Sequence, residues 1–258
     1  MLKRLHLFSL LAFLFLLASC GSGAASQATP VPTPRPTPTQ GITPTPTIPD
    51  VPSRMVFFQT SDHVKLGGLL YGQGKAVVIC SHELRTTKVI WSVSGIPQRL
   101  ATRGYEVLAY DFRGNGDSQG QPDVSQIAVD LNAAVTFARQ QGATKIVLLG
   151  SSMGGTATLK VASGTRVDAV ISLSAPQNFS ITLSNADIKA ISAPKLFINS
   201  ENDDYASDTM HMYEAANAPK EIHMYPGAAH GTSIFDTDNA TDLTQRILDF
   251  VTRYAPAG

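Results

Sequence analysis

Ser152 stands in Gly150-Ser151-Ser152-Met153-Gly154, directly after the apolar run Lys145–Leu149 and before a helix-compatible stretch, Thr156–Ala162. A nucleophilic serine held on a sharp strand-to-helix turn needs small residues two places before and two places after it, because strand and helix pass closely there. That phase selects Ser152, flanked by Gly150 and Gly154, and leaves Ser151 as a turn residue. A glycine-rich turn chosen for packing alone would match the letters but not their strand–turn–helix setting.

A serine hydroxyl is a poor nucleophile near neutral pH unless a histidine takes its proton and an acid holds that histidine's tautomer. Both partners are sought downstream, acid before base, on loops at the carboxyl ends of later strands. The run Glu221–Tyr225 leads into Pro226-Gly227-Ala228-Ala229-His230-Gly231, which makes His230 the base. Of the other histidines, His6 lies in an N-terminal apolar segment, His63 in an early turn and His82 before the nucleophile, while His211 and His223 fall in a helix and a strand. The run Lys195–Asn199 leads into Ser200-Glu201-Asn202-Asp203-Asp204, so Glu201, Asp203 and Asp204 all remain open as the acid, or as start-caps of the stretch that follows. The oxyanion of a tetrahedral intermediate needs preorganised donors. One is expected from the backbone N–H of Met153 and another from the loop after Ala76–Cys80.

Eight short runs are suited to carry these loops. Met55–Gln59 and Lys65–Tyr71 read as a strand pair around Thr60-Ser61-Asp62-His63. Ala76–Cys80, Tyr105–Asp111, Lys145–Leu149, Val167–Leu173, Lys195–Asn199 and Glu221–Tyr225 follow as buried strands. Asp123 and Gln126 fit a start-cap pair for a helix whose apolar positions run from Val124 to Ala138 and which Gly142 ends. A last helix places Leu243, Ile247, Phe250, Val251 and Tyr254 on one face. Apolar strands alternating with helices predict an α/β domain with a mainly parallel sheet covered on both faces. Trp91 and Cys80 read as core.

Taken together, residues 55–254 resemble a small alpha/beta-hydrolase, on the strength of Gly150–Gly154, Asp111-Phe112-Arg113-Gly114-Asn115-Gly116-Asp117-Ser118 and Gly227–Gly231. The resemblance implies a mostly parallel eight-stranded sheet with helices on both faces, no large cap domain and a Ser-His-Asp triad. The family places its acid four residues after a Phe-Ile-x-Gly-like strand end, which selects Asp203, with Asp204 the runner-up. It puts the second oxyanion donor on Leu84 and implies that Asp111 and Arg113 bond nearby backbone. Where many relatives have His-Gly, this chain has His82-Glu83, which resembles the dienelactone-hydrolase branch, whose glutamate lies against the nucleophile. Glu83 is therefore expected beside Ser152. The competing reading turns it outward to pair with Arg85 or Lys88.

Ahead of this domain, 53–258, the composition changes. Lys3, Arg4 and His6 precede an apolar run, Leu7–Ala18, that is short for a membrane span and suited to an export signal, residues 1–19. Leu17-Ala18-Ser19-Cys20 resembles the lipobox of bacterial lipoproteins, which implies lipidation of Cys20 and attachment to the outside of the cell membrane; an ordinary cleaved signal or an uncleaved anchor is the alternative. Residues 20–52 carry nine of the 16 prolines and no aromatic residue, and read as a disordered Thr/Pro stalk. Fully extended, Thr29–Val51 reaches about 70 Å. Without Lys3 and Arg4 the chain holds 18 basic against 20 acidic residues, no excess that would favour a nucleic acid. Two cysteines supply neither a disulfide framework nor a four-ligand zinc site. The expectation is a monomeric, membrane-anchored serine hydrolase that needs no cofactor and cleaves carboxylic esters in an open site. A peptidase or amidase on the same fold and a non-catalytic binding lipoprotein are the alternatives.

Overall fold

In a computed structural model of the chain, the structure describes residues 47–258. The export signal, Cys20 and most of the Thr/Pro tract read from the sequence lie outside these residues. Ser53–Gln59 (β1) and Lys65–Gly72 (β2) form an antiparallel pair with Gln59 opposite Lys65. Then follow Ala76–Ser81 (β3), Val89–Ser94 (α1), Ile96–Ala101 (α2), Glu106–Tyr110 (β4), Ile127–Gln140 (α3), Lys145–Ser151 (β5) and Met153–Gly164 (α4). The chain continues through Ala169–Leu173 (β6), the two-residue strands Asn178–Phe179 (β7) and Ile181–Thr182 (β8), Asn185–Ala190 (α5) and Lys195–Ser200 (β9). Ala206–Ala215 (α6), Lys220–Tyr225 (β10) and Ala240–Tyr254 (α7) complete it.

Eight of the strands form one sheet in the order β1-β2-β4-β3-β5-β6-β9-β10. β2 runs antiparallel to both its neighbours, and every other pairing is parallel. Because side chains alternate along a strand, continuous apolar runs fill both faces. Val77, Ile79, Leu108, Ile146, Leu148 and Val170 pack into one core cluster with α3 and α4, while Val78, Cys80, Val107, Val147, Leu149 and Ile171 pack into the other with α2 and α7. Trp91 and Cys80 are fully buried, and burial pushes the Cys80 thiol far above its ordinary range.

Local details depart from the sequence reading in two places. Asp123 caps a single 3₁₀ turn, Val124–Gln126, by accepting from the Ser125 N–H, and Gln126 ends that turn without returning a cap bond, so α3 begins three residues later than the cap pair implied. Asp111 bonds backbone as expected and a side chain besides, whereas the Arg113 side chain bonds carboxylates and no backbone atom. Arg113 donates to both carboxylate oxygens of Asp62 and to Asp130, tying the β1–β2 turn and α3 to the loop after β4. Asp111 accepts from the Lys88 N–H at 2.8 Å and the Asp117 N–H at 2.9 Å, and pairs with the Lys88 ammonium.

Between β6 and β9 the chain inserts only the β7–β8 hairpin and α5, whose first turn is closed by a reciprocal Ser184–Asp187 cap. At the other end, Ile48 lies against the α1–α2 joint: a Cβ on Gly95, which has φ 74°, would come within 2.8 Å of its Cγ1.

Candidate active site

The turn at Ser152 is strained in the way a nucleophile turn requires. Ser152 holds φ 52° and ψ −118°, outside the regions that a serine adopts without cost. Its N–H donates to Leu173 O at 2.8 Å and its carbonyl accepts from Thr156 N–H at 3.0 Å, so neighbouring strand and following helix both hold it. The flanking glycines are sterically obligatory. A Cβ at Gly150 would stand 2.2 Å from Gly154 O, and one at Gly154 would stand 2.2 Å from Ser81 O. Met153 opens α4, where the first N–H groups have no intrahelical acceptor.

On the neighbouring loops, His230 and Asp203 meet. His230 Nδ1 is 2.7 Å from Asp203 Oδ2, and the other Asp203 oxygen accepts from Tyr205 N–H at 2.8 Å. Asp203 is buried, and burial alone would raise its pKa; the bonds from His230, Tyr205 and Asn199 outweigh this and hold it below the usual carboxylate range. The bond to Asp203 raises the His230 pKa against the opposing effect of burial, with Asp203, Glu83 and Asp204 adding negative potential. Asp204 and Glu201 are exposed, and neither bonds His230. The loop itself is anchored: Ser200 Oγ donates to Ala229 O at 2.7 Å, and Gly231 N–H donates to Ser174 Oγ at 2.9 Å.

Glu83 turns inward to the nucleophile turn, lining one cavity with Ser152 while its carboxylate is bonded elsewhere. Its Oε1 accepts from Ser151 Oγ at 2.6 Å, from Thr232 Oγ1 at 2.8 Å and from the Thr232 N–H. The carboxylate therefore binds the residue before Ser152 rather than Ser152. Of its two suggested outward partners, Lys88 is buried and pairs with buried Asp111 and exposed Asp117, and no ion pair joins Glu83 to Arg85 among the described residues. Ser151 is accordingly no turn residue: it ends β5, fully buried, and links the nucleophile strand to Glu83. Gly231, at φ 55°, leaves the room for this junction, since a Cβ there would stand 2.2 Å from Glu83 Oε1.

Glu83, Leu84, Arg85, Ser152, Phe179, Asp203, Asp204, Tyr205 and His230 all line one cavity of about 440 Å³. Among the described residues, neither the Met153 nor the Leu84 N–H is given to an acceptor. Phe179 comes from the β7–β8 hairpin and Tyr205 stacks obliquely 5.6 Å from the His230 ring. These two and Thr232 are site residues that no motif announced, while Ser151 stood within the nucleophile motif but was read only as a turn residue; the only signal for Thr232 was its place two residues after His230. No group of three or more His, Cys, Asp or Glu side chains among the described residues is arranged to hold a metal ion.

The fold has close counterparts among solved structures. The esterase Pf2001 of Pyrococcus furiosus superposes with a TM-score of 0.69 over 79% of this chain and 93% of its own, at 20% identity. This is the alpha/beta-hydrolase fold. Within it, residues 72–182, which include Ser152, match the family described as Serine aminopeptidase, S33. The quorum-quenching protein AidA of Acinetobacter baumannii is 31% identical over 137 residues, 48% of this chain and 44% of that protein. Bifunctional epoxide hydrolase 2 of Rattus norvegicus is 32% identical over 117 residues, 44% of this chain and 21% of that protein. The chain thus spans less than half the length of these curated relatives.

Proposed function

We propose that this alpha/beta-hydrolase is a serine hydrolase that cleaves carboxylic esters through an acyl-enzyme. The observation that carries the reading is the strained Ser152 turn sharing one cavity with the His230–Asp203 pair. Ser152 Oγ attacks the ester carbonyl while His230 Nε2 takes its proton, and Asp203, bonded to Nδ1, keeps the ring in the tautomer that leaves Nε2 free to accept it. The N–H groups of Met153 and Leu84 receive the developing oxyanion. His230 then returns the proton to the departing alcohol. Water, activated by the same histidine, attacks the acyl-Ser152 carbonyl and releases the carboxylic acid.

Chemistry separates this reading from epoxide hydrolysis, the reaction named for the rat relative. A serine that opened an epoxide would form an alkyl ether with no carbonyl for water to attack, so turnover would stop after one cycle. Peptide or amide hydrolysis is the second reading, supported by the family description that residues 72–182 match. It uses the same residues, with an amine as the leaving group.

The same proposal places the enzyme outside the cell, attached to the membrane through lipidated Cys20 and a Thr/Pro stalk, on the lipobox-like Leu17-Ala18-Ser19-Cys20. A fluorophosphonate probe tests the chemistry: it should label the wild-type protein and leave Ser152→Ala unlabelled, and equal labelling of both would sink the reading. Hydrolysis of p-nitrophenyl esters of increasing chain length beside aminoacyl anilides then decides between ester and peptide bonds.

A further inference from the structure

The peptide between Glu83 and Leu84 is gripped at its carbonyl. Glu83 O lies 2.7 Å from His82 Nδ1 and accepts from Thr86 Oγ1 at 2.9 Å and Thr86 N–H at 3.3 Å. A trans peptide is planar, and its C=O and N–H point in opposite directions. Holding the Glu83 carbonyl therefore sets the direction of the Leu84 N–H, the hydrogen carried by the same peptide unit.

The proton on His82 is located by its partners. The Phe112 N–H can only donate, and it donates to Nε2 at 3.0 Å, so Nε2 carries the lone pair and Nδ1 the hydrogen given to Glu83 O. The ring is fully buried, edge-on to Phe112 with centroids 5.0 Å apart. Burial disfavours the imidazolium and so preserves this tautomer. At its other end, Glu83 is fixed through its carboxylate to Ser151 and Thr232. The residue cannot swing without breaking bonds on both sides.

We propose that His82 is a positioning residue of the oxyanion hole: by holding the Glu83 carbonyl, it aims the Leu84 N–H at the oxygen that becomes negative when Ser152 attacks. The proposal rests on the serine-hydrolase reading above. A donor aimed in advance needs no reorganisation as charge develops, and its contribution appears in the transition state rather than in ground-state binding.

The test uses p-nitrophenyl butyrate as substrate and an aryl trifluoromethyl ketone as inhibitor, because the adduct of the ketone with a serine carries a negative oxygen like that of the transition state. His82→Leu should lower kcat by about 10–100-fold with KM within about twofold of wild type, and weaken the ketone by a similar factor. His82→Asn, whose amide N–H stands near the Nδ1 position, should recover most of both. Thr86→Val, at a half-buried turn, removes a second donor to the same carbonyl and should lower kcat about threefold to tenfold with Tm unchanged; it carries the test should His82→Leu fail to fold.

Fluorophosphonate labelling of the wild type, compared with Ser152→Ala, is run alongside. Failure there removes the serine-hydrolase reading itself. With labelling intact, kcat and ketone affinity within about twofold of wild type in folded His82→Leu, or in Thr86→Val where His82→Leu does not fold, overturns the role of His82. Equal losses of activity and Tm in the Leu and Asn variants would also overturn it, because fold support alone would explain them.

Discussion

His230 and Asp203 are joined by a bond of 2.7 Å between groups whose ordinary pKa values lie well apart, and the bond pushes them further apart. Neutral His230 is the form that accepts a proton. Its pKa is raised above the ordinary 6.5, so kcat/KM should rise with pH and level off above an apparent pKa higher than 6.5. Stability runs the other way. A raised folded-state pKa stabilises the fold fully below the unfolded value, and that contribution is lost as pH rises through the folded value, the range in which activity appears. Asp203→Asn should shift the activity midpoint downward and lower kcat by roughly 10⁴-fold, measured as a pH–rate profile. Asp204→Asn, which changes an exposed carboxylate outside the bond, should keep kcat within a few-fold. Equal losses in the two variants would reassign the acid. Loop position alone left Glu201, Asp203 and Asp204 open and the family resemblance favoured Asp203; side-chain burial and direction separate it from the other two.

At the scale of elements, the site depends on how closely β5, α4 and the β3 end approach. Gly154 passes so near Ser81 that Gly154→Ala would put a methyl group 2.2 Å from a backbone oxygen which has no freedom to retreat. Such overpacking costs about 1–3 kcal/mol. The variant should show a Tm several degrees lower and more than tenfold lower activity, because the displacement falls on the Ser152 turn. Unchanged activity in a folded Gly154→Ala protein would show that the turn tolerates movement. These glycines were legible in the sequence through their spacing about Ser152, although the atom that requires Gly154 is Ser81 O on the distant β3. The Asp123–Gln126 region was less so: a cap residue followed three places later by Gln fits both an α-helical start and a 3₁₀ turn, and the packing of Ile127 and Leu131 decides where the helix begins.

For the whole molecule, Arg113 is the charge that holds distant segments together, with Asp62 in the β1–β2 turn and Asp130 in α3. Its side chain and that of Asp130 are almost wholly buried, so Arg113→Met would leave a buried carboxylate without its cation. Loss of one partner of such a pair costs about 3–5 kcal/mol. Urea unfolding should register this as a lower midpoint with little change in slope. Attachment is a separate question, tested on the full chain: Cys20→Ser should move the protein from the membrane fraction to the soluble fraction while ester hydrolysis per molecule stays the same. Retention of the variant in membranes would count against the lipid anchor.

The sequence by itself determined the strands of the main sheet and the nucleophile turn, because strand periodicity, and the spacing of the glycines about Ser152, relate residues close together in the chain; the β7–β8 hairpin and α5 carried no such signal. It also pointed to His230 through its loop and to eight strands in a covered sheet. Only the tertiary structure decided that Glu83 turns to Ser151 and Thr232 and that the His82 proton faces the Glu83 carbonyl, and it joined His230 to Asp203, the acid that the resemblance favoured. Each of those outcomes depends on the directions of side chains brought together from distant positions, and side-chain direction across such a separation is set by packing, which residue type and spacing do not encode.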